Sequence, residues 1–203
     1  MKIIGKKLDI YNSLLAICFL IMAIPMILIL IVLIRLDSSG KAIFRQTRIG
    51  HQGKRFKMYK LRTMIDNAEL IRDKYQYLNS SDGPTFKIKD DPRFTRIGKF
   101  LSHSNLDELP QLINVIKGDM KIVGFRPPLP REVEKYEPWQ LKRFKGYPGM
   151  TSTWAIFGSH SISFPKWVKM DIEYEKQRSF RKDLWIILKT IKIPLRSLGR
   201  LVF

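Results

Sequence analysis

The chain has 203 residues and carries 37 Lys and Arg against 18 Asp and Glu, a formal charge of +19. That balance points to anionic partners, which admits nucleic acid, lipid headgroups and phosphorylated small molecules. The lone cysteine, Cys18, excludes an intrachain disulfide framework and a thiolate metal cluster, and His51, His103 and His160 lack the spacing of a zinc site.

Residues 14–34 contain no charge, and as a straight helix they reach roughly 30 Å, about the hydrocarbon thickness of a bilayer. A soluble nucleic-acid binder has no use for such a segment. A cleaved signal peptide is a poor match, because the apolar run is long and leads into Arg35 and Leu36 without a small-residue cleavage pattern. Lys2, Lys6 and Lys7 precede it, while Arg35, Lys41, Arg45 and Arg48 follow. Basic residues on both flanks give a spanning helix no clean orientation, but suit a segment whose two ends stay in the cytoplasm. Pro25 removes a backbone donor near the midpoint of the run and favours a kink there. The residues leave three arrangements open: a re-entrant hairpin, a straight span and a buried soluble helix.

Beyond a turn at Asp37-Ser38-Ser39-Gly40, extended stretches are predicted at 42–46 and 55–61, separated by Gly50 and Gly53. A charged helix is predicted over 67–78 and broken at 79–83. With no internal repeat or low-complexity linker, two regions are expected: a membrane-inserted helical segment at 1–36 and one cytoplasmic domain at 37–203. The fold class expected is mixed and helix-dominated. In the basic stretch from Lys54 to Arg62, Lys60 and Arg62 are either phosphate ligands or part of a solvated strand edge near anionic lipid. Asp90 and Asp91 read as turn material, and Arg93 and Arg96 as anion-binding candidates.

Asp107 and Glu108 then open an amphipathic helix whose apolar face is Leu109, Leu112, Ile113 and Ile116, closed by Gly118. With Asp107 as the cap, Pro110 falls where no amide donor is needed; with Asn105 as the cap, Glu108 completes a capping box but Pro110 costs a hydrogen bond. Helix grammar and chemistry both account for the pair. A carboxylate held ionised at a helix start can serve as a nucleophile, and its neighbour can hold a divalent cation. Toward the C-terminus, Leu184, Ile187, Leu188 and Ile191 form an apolar stripe bordered by Lys182, Lys189 and Lys192, which suits an interfacial helix and also core packing.

The segment SNLDELPQLINVIKGDMKIVGFRPPLP resembles the central motif of the bacterial sugar transferase family, the monotopic phosphoglycosyl transferases, in their small form. The likeness extends in order through DIYNSLLAICFLIMAIPMILILIVLIRLDSSG, IFRQTRIGHQGKRFKMYKLRTM, DPRFTRIGKFLS and YPGMTSTWAIFGS, nearly the whole chain. It implies a re-entrant N-terminal membrane helix, amphipathic interfacial helices and a location on the cytoplasmic face of the bacterial inner membrane. It further implies Mg2+-dependent transfer of a phosphosugar from a UDP-sugar to polyprenyl phosphate through an aspartyl-phosphosugar, releasing UMP. That is the first membrane step in assembling a lipopolysaccharide, capsule or glycoprotein glycan.

Carried onto this chain, the resemblance makes Asp107 the nucleophile, Glu108 a catalytic and metal-holding acid, and Asp171 a second metal candidate. Arg126 and Pro127 become donor contacts beside Lys60, Arg62, Arg93 and Arg96. The chain departs from the family where Ile24 precedes Pro25 in place of Ser, and where Ala155 and Ser159 replace polar or basic side chains. Expected partners are a UDP-sugar, polyprenyl phosphate and anionic lipids, with no nucleic acid and with homo-oligomerisation left open. The competing function is a membrane-anchored basic adaptor for anionic lipid or nucleic acid, which explains the charge and the apolar run but not the ordered acid, arginine and proline motifs.

Overall fold

The computed structural model describes residues 2–157 and 162–199, with side chains for 10–157 and 162–190. Expectations that rest on Ser159, Ile191 and Lys192, or on the side chains of Lys2, Lys6 and Lys7, lie outside the described residues.

Helix α1 (Lys2–Asp37) runs unbroken through Pro25. From Ile10 to Asp37 it is long and apolar enough to cross a membrane; its most apolar stretch has a mean hydropathy of 3.3 and is only 11% buried. The two ends of that stretch pack on the rest of the molecule, and its middle does not. Near the start, Ala16 is fully buried among Leu112, Val115, Ile122 and Ile186, with Leu15, Phe19 and Leu20 alongside. Asn12 anchors this end by accepting a hydrogen bond from the Ile122 amide at 3.1 Å. Near the finish, Leu30 and Ile34 pack with Ala42, Leu61 and Leu101. Between them, Ile21, Met22, Leu28 and Ile29 are exposed. Each buried aliphatic side chain in these clusters contributes about 1.5–3 kcal/mol relative to exposure, so the two ends are fastened while an apolar middle is left bare.

Strands β1 (Ile43–Ile49) and β2 (Arg55–Leu61) form an antiparallel hairpin in which Gln46 faces Met58 and Phe44 faces Lys60. Its turn uses left-handed backbone at Gln52 and Gly53, φ 54° and 75°. The hairpin matches the expected extended segments, with β1 beginning and ending later than foreseen. The helix expected over 67–78 is not formed. Turns and a 3-10 stretch (Arg72–Leu78) occupy it, and Leu70 and Tyr77 stay about four-fifths exposed at 81% and 79%. Ala68, Ile71, Tyr75 and Leu78 lay at helical spacing, but only Ala68 of these is buried, and a short helix without a docked apolar face is marginal.

Helix α2 (Arg96–Ser104) is capped by Thr95, whose hydroxyl accepts from the Gly98 amide at 3.0 Å. A Cβ at Gly98 would lie 1.8 Å from the Thr63 carbonyl oxygen, so only glycine lets α2 approach the chain leaving β2 this closely. Helix α3 (Gln111–Ile116) follows and ends at Gly118, φ 78°. Strand β3 (Lys121–Val123) pairs in parallel with β4 (Gly149–Thr151), with α4 (Pro130–Val133) in the crossover. Short α5 (Thr153–Ile156), then α6 (Phe164–Lys176) and α7 (Phe180–Gly199), complete the described chain. On α7, Ile186 is fully buried whereas Leu184 and Leu188 are exposed. The mixed, helix-dominated class is as expected, with one long apolar N-terminal helix suited to membrane association.

Candidate active site

Alternation along β2 sends Met58 and Lys60 to one face and Tyr59 to the other, where Lys117 sits over its ring at 5.4 Å. The buried Asn114 of α3 accepts from the Tyr59 amide at 3.0 Å and donates to the Lys57 carbonyl at 2.7 Å. This clamp fixes β2 against the segment bearing the acidic pair. Asp107 and Glu108 lie in one 3-10 turn (Leu106–Glu108), reached from α2 through Asn105, φ 58°. Asparagine tolerates that left-handed geometry better than most residues.

Lys60 Nζ stands 3.2 Å from Asp107 Oδ2 and 2.7 Å from Glu108 Oε1. Burial disfavours its ammonium, but the two carboxylates outweigh burial and hold its pKa above the ordinary lysine value. Burial pushes the Asp107 carboxyl up; Lys60 pulls it back, Glu108 pushes it further, and the net is above the usual carboxylate range. Neither capping expectation holds. Helix α3 begins after Pro110 without a side-chain cap, and Asn105 makes no cap hydrogen bond. Proline has no N–H to offer a capping side chain, so the acids are freed from helix grammar and held by Lys60 instead.

Lys60 and Glu108 open onto a cavity of about 320 Å³, which Arg48, Lys87, Gln111, Arg126, Pro127, Thr151, Ser152, Trp154 and Thr190 also line. That size is typical of a small-molecule site. Arg48 is buried, donates to the Pro127 carbonyl at 2.9 Å and to Gln46 Oε1 at 2.6 and 3.0 Å. Burial first, and Arg126 second, push its pKa down to about 9, which still leaves it cationic at neutral pH. Burial and Arg126 also lower Lys87. Among the described residues Arg126 Nη1 has no hydrogen-bond partner, and Glu132 Oε2 lies 3.6 Å from it. A buried guanidinium donor without a partner, among cations that depress one another, is suited to a polyanion.

The structure brings together Lys60, Asp107, Glu108, Arg126 and Pro127 from the expected residues, and puts the others elsewhere. Arg62 closes the end of α1, donating to the carbonyls of Ile34, Ser38 and Ser39. Arg93 makes a two-pronged pair with Asp91 at 2.9 and 2.6 Å and donates to the Ala68 carbonyl. Arg96 is exposed at the first position of α2. Asp171 is buried in α6 and bound by Arg143 Nη2 at 2.5 Å, with each side chain 1% exposed. Arg143 also donates to the Arg126 carbonyl and the Tyr136 hydroxyl, so this pair stands behind the Arg126 loop and does not line the cavity.

Among the described residues, no group of three or more His, Cys, Asp or Glu side chains is arranged to hold a metal. Mg2+ commonly takes one or two carboxylates and completes its shell with substrate phosphates and water. Glu108, at the cavity with its neighbour Asp107, fits that donor set. Asp171, engaged by Arg143, does not. Arg48, Lys87, Asn114 and Thr190 went unrecognised in the sequence; Arg48 had only its place in a basic run as a signal.

The domain joins a hairpin and a parallel strand pair to one long apolar helix suited to membrane association and a cavity lined by Arg48, Lys60, Lys87 and Arg126 beside the acid pair. The chain belongs to the bacterial sugar transferase family, whose model matches residues 2–197. It is 44% identical over 162 residues to the galactosyl transferase CpsE of Streptococcus agalactiae, covering 79% of this chain and 36% of that protein. It is 36% identical over 193 residues to the exopolysaccharide production protein ExoY of Sinorhizobium fredii, covering 93% and 85%. To the undecaprenyl-phosphate galactose phosphotransferase of Salmonella typhimurium it is 36% identical over 191 residues, covering 91% and 39%. The chain thus spans most of ExoY but well under half of the other two.

Proposed function

We propose that this chain transfers a phosphosugar from a UDP-sugar to a polyprenyl phosphate at the cytoplasmic face of a bacterial membrane. Asp107 attacks the sugar-bearing phosphorus, the bond from that phosphorus to the UMP oxygen breaks, and UMP leaves with its electron pair. An oxygen of polyprenyl phosphate then attacks the same phosphorus, and the Asp107 carboxylate departs, giving a polyprenyl-diphosphate-sugar. The observation that carries this reading is buried Asp107 beside half-buried Glu108, both held by Lys60 at a cavity whose other walls carry Arg48 and Arg126.

Lys60 favours the ionised form of the nucleophile in a buried setting that by itself favours the neutral acid. Arg126 supplies a planar fork for phosphate oxygens, and Pro127 holds its loop through the Arg48 contact to the Pro127 carbonyl. Glu108 would hold Mg2+, which when bound offsets charge on the diphosphate. We assign Arg62 and Arg93 to holding the fold, Arg96 to the surface, and Asp171 to positioning through Arg143.

The arrangement of α1 supports a re-entrant segment within region 1–36, followed by the catalytic domain 37–203. Both ends of its apolar stretch pack on the same domain while the middle is bare, which fits a helix entering and leaving one leaflet better than one crossing two. Exposed Leu184, Trp185 and Leu188 beside Lys189 on α7 support an interfacial helix against anionic lipid. A basic adaptor would account for the charge and α1, yet it has no use for a carboxylate at the cavity wall with a second one behind it on the same lysine. The test is UMP release from a panel of UDP-sugars with polyprenyl phosphate and Mg2+, using protein in lipid nanodiscs. UMP release that depends on the lipid phosphate is expected; no release from any donor by folded protein contradicts the proposal.

A further inference from the structure

Strand β4 and helix α7 each put one threonine on the cavity wall, Thr151 and Thr190. Their hydroxyl oxygens are 2.7 Å apart. Thr190 Oγ1 also donates to the Ile186 carbonyl one turn back along α7, at 2.9 Å. A hydroxyl owns a single proton. With that proton committed to Ile186, the contact between the threonines requires Thr151 to donate and Thr190 to accept.

The relay from Thr151 to Thr190 to Ile186 leaves Thr151 Oγ1 with lone pairs and no proton to offer. Such an oxygen suits a ligand hydroxyl and disfavours a phosphate or carboxylate, which bring only lone pairs. The wall formed by Arg48, Lys60 and Arg126 has the opposite preference. The cavity is therefore polarised between a wall for anions and a wall for neutral hydroxyl donors.

We propose that Thr151 reads a hydroxyl of the neutral sugar of the donor, and that Thr190 is a positioning residue that fixes the direction of the Thr151 proton. Helix α7 thereby takes part in choosing the sugar. This rests on reading the cavity as the UDP-sugar site.

The test uses the full chain in nanodiscs with UDP-galactose, UDP-glucose, UDP-N-acetylgalactosamine and monodeoxy analogues of whichever is turned over. KM, kcat and inhibition by UMP are measured together. Thr151→Val is expected to raise KM for the preferred donor roughly 5- to 10-fold, the loss of about one hydrogen bond, with kcat and UMP inhibition unchanged. One monodeoxy donor should carry the same penalty with the wild type and none with Thr151→Val. Thr190→Val should shift KM in the same direction, and Thr190→Ser should restore it. A wild-type KM for every donor in Thr151→Val overturns the proposal, as does loss of UMP inhibition together with the KM change, which would mark the hydroxyl pair as structural. Absence of wild-type turnover with every donor rejects the donor-site reading itself, and is distinct because no KM then exists to compare.

Discussion

Lys60 with Asp107 and Glu108, and Arg143 with Asp171, are two clusters of base and acid in one small domain, and they differ in balance and access. The first sets one ammonium against two carboxylates and opens on the cavity, with the Glu108 side chain 32% exposed. The second sets one guanidinium against one carboxylate, and each side chain is 1% exposed. Arg143 further spends its fork on Tyr136 and the Arg126 carbonyl and lies against Phe125 and Trp167, 5.2 and 5.3 Å from their ring centres. An unbalanced, accessible cluster retains affinity for another cation and for a reacting group. A balanced, sealed one leaves no access for a further ligand and fixes geometry, and removing either partner strands a buried charge.

The contrast predicts different failures. Glu108→Gln should lower UMP release roughly 100- to 1,000-fold, the scale of losing one electrostatic contact to a transition state, with thermal unfolding unchanged; a lowered midpoint would place Glu108 in the structural class. Arg143→Met should do the reverse, destabilising by about 3–5 kcal/mol as a broken buried pair does, visible as a lower thermal midpoint in nanodiscs. Full stability with abolished turnover would erase the distinction between the clusters. A smaller effect is expected from Arg126→Lys, a point charge in place of a fork. KM for the donor should rise roughly tenfold, about the value of one charge-assisted hydrogen bond, and an unchanged KM would remove Arg126 from donor binding.

The smallest effect is a pH slope. Burial pushes the Asp171 carboxyl from 3.8 up to about 6 despite Arg143. Because its folded pKa is raised, the folded state holds a proton that the unfolded chain has released between those values. Stability should therefore fall as pH rises through that window and level off above it. Asp171→Asn should remove this component of the pH profile; an unaltered slope would show that Asp171 ionises freely.

Local periodicity made the apolar helix and the hairpin legible, since both repeat over neighbouring residues. The motif likewise marked Asp107, Glu108, Arg126 and Pro127, which lie within twenty-odd residues of one another. Partnership across the chain was not legible. Arg48 reaches the Pro127 carbonyl over 79 residues and Asn114 reaches Lys57 over 57, and no local pattern announces either. For the same reason Arg62 and Arg93 resembled Arg126 as anion-binding candidates in the sequence, although a helix end engages the first and Asp91 the second. The capping expectations failed on a local detail, Pro110, which moved the start of α3 beyond the acids.

The central claim is that the acid held by Lys60 forms a bond to phosphorus. Intact-protein mass measurement after exposure to the UDP-sugar that is turned over, without polyprenyl phosphate, tests it directly. The wild type should gain the mass of one phosphosugar and lose it when polyprenyl phosphate is added, while Asp107→Asn should gain nothing and still associate with membrane. An adduct on Asp107→Asn, or a wild type that turns over donor without ever carrying one, would contradict it.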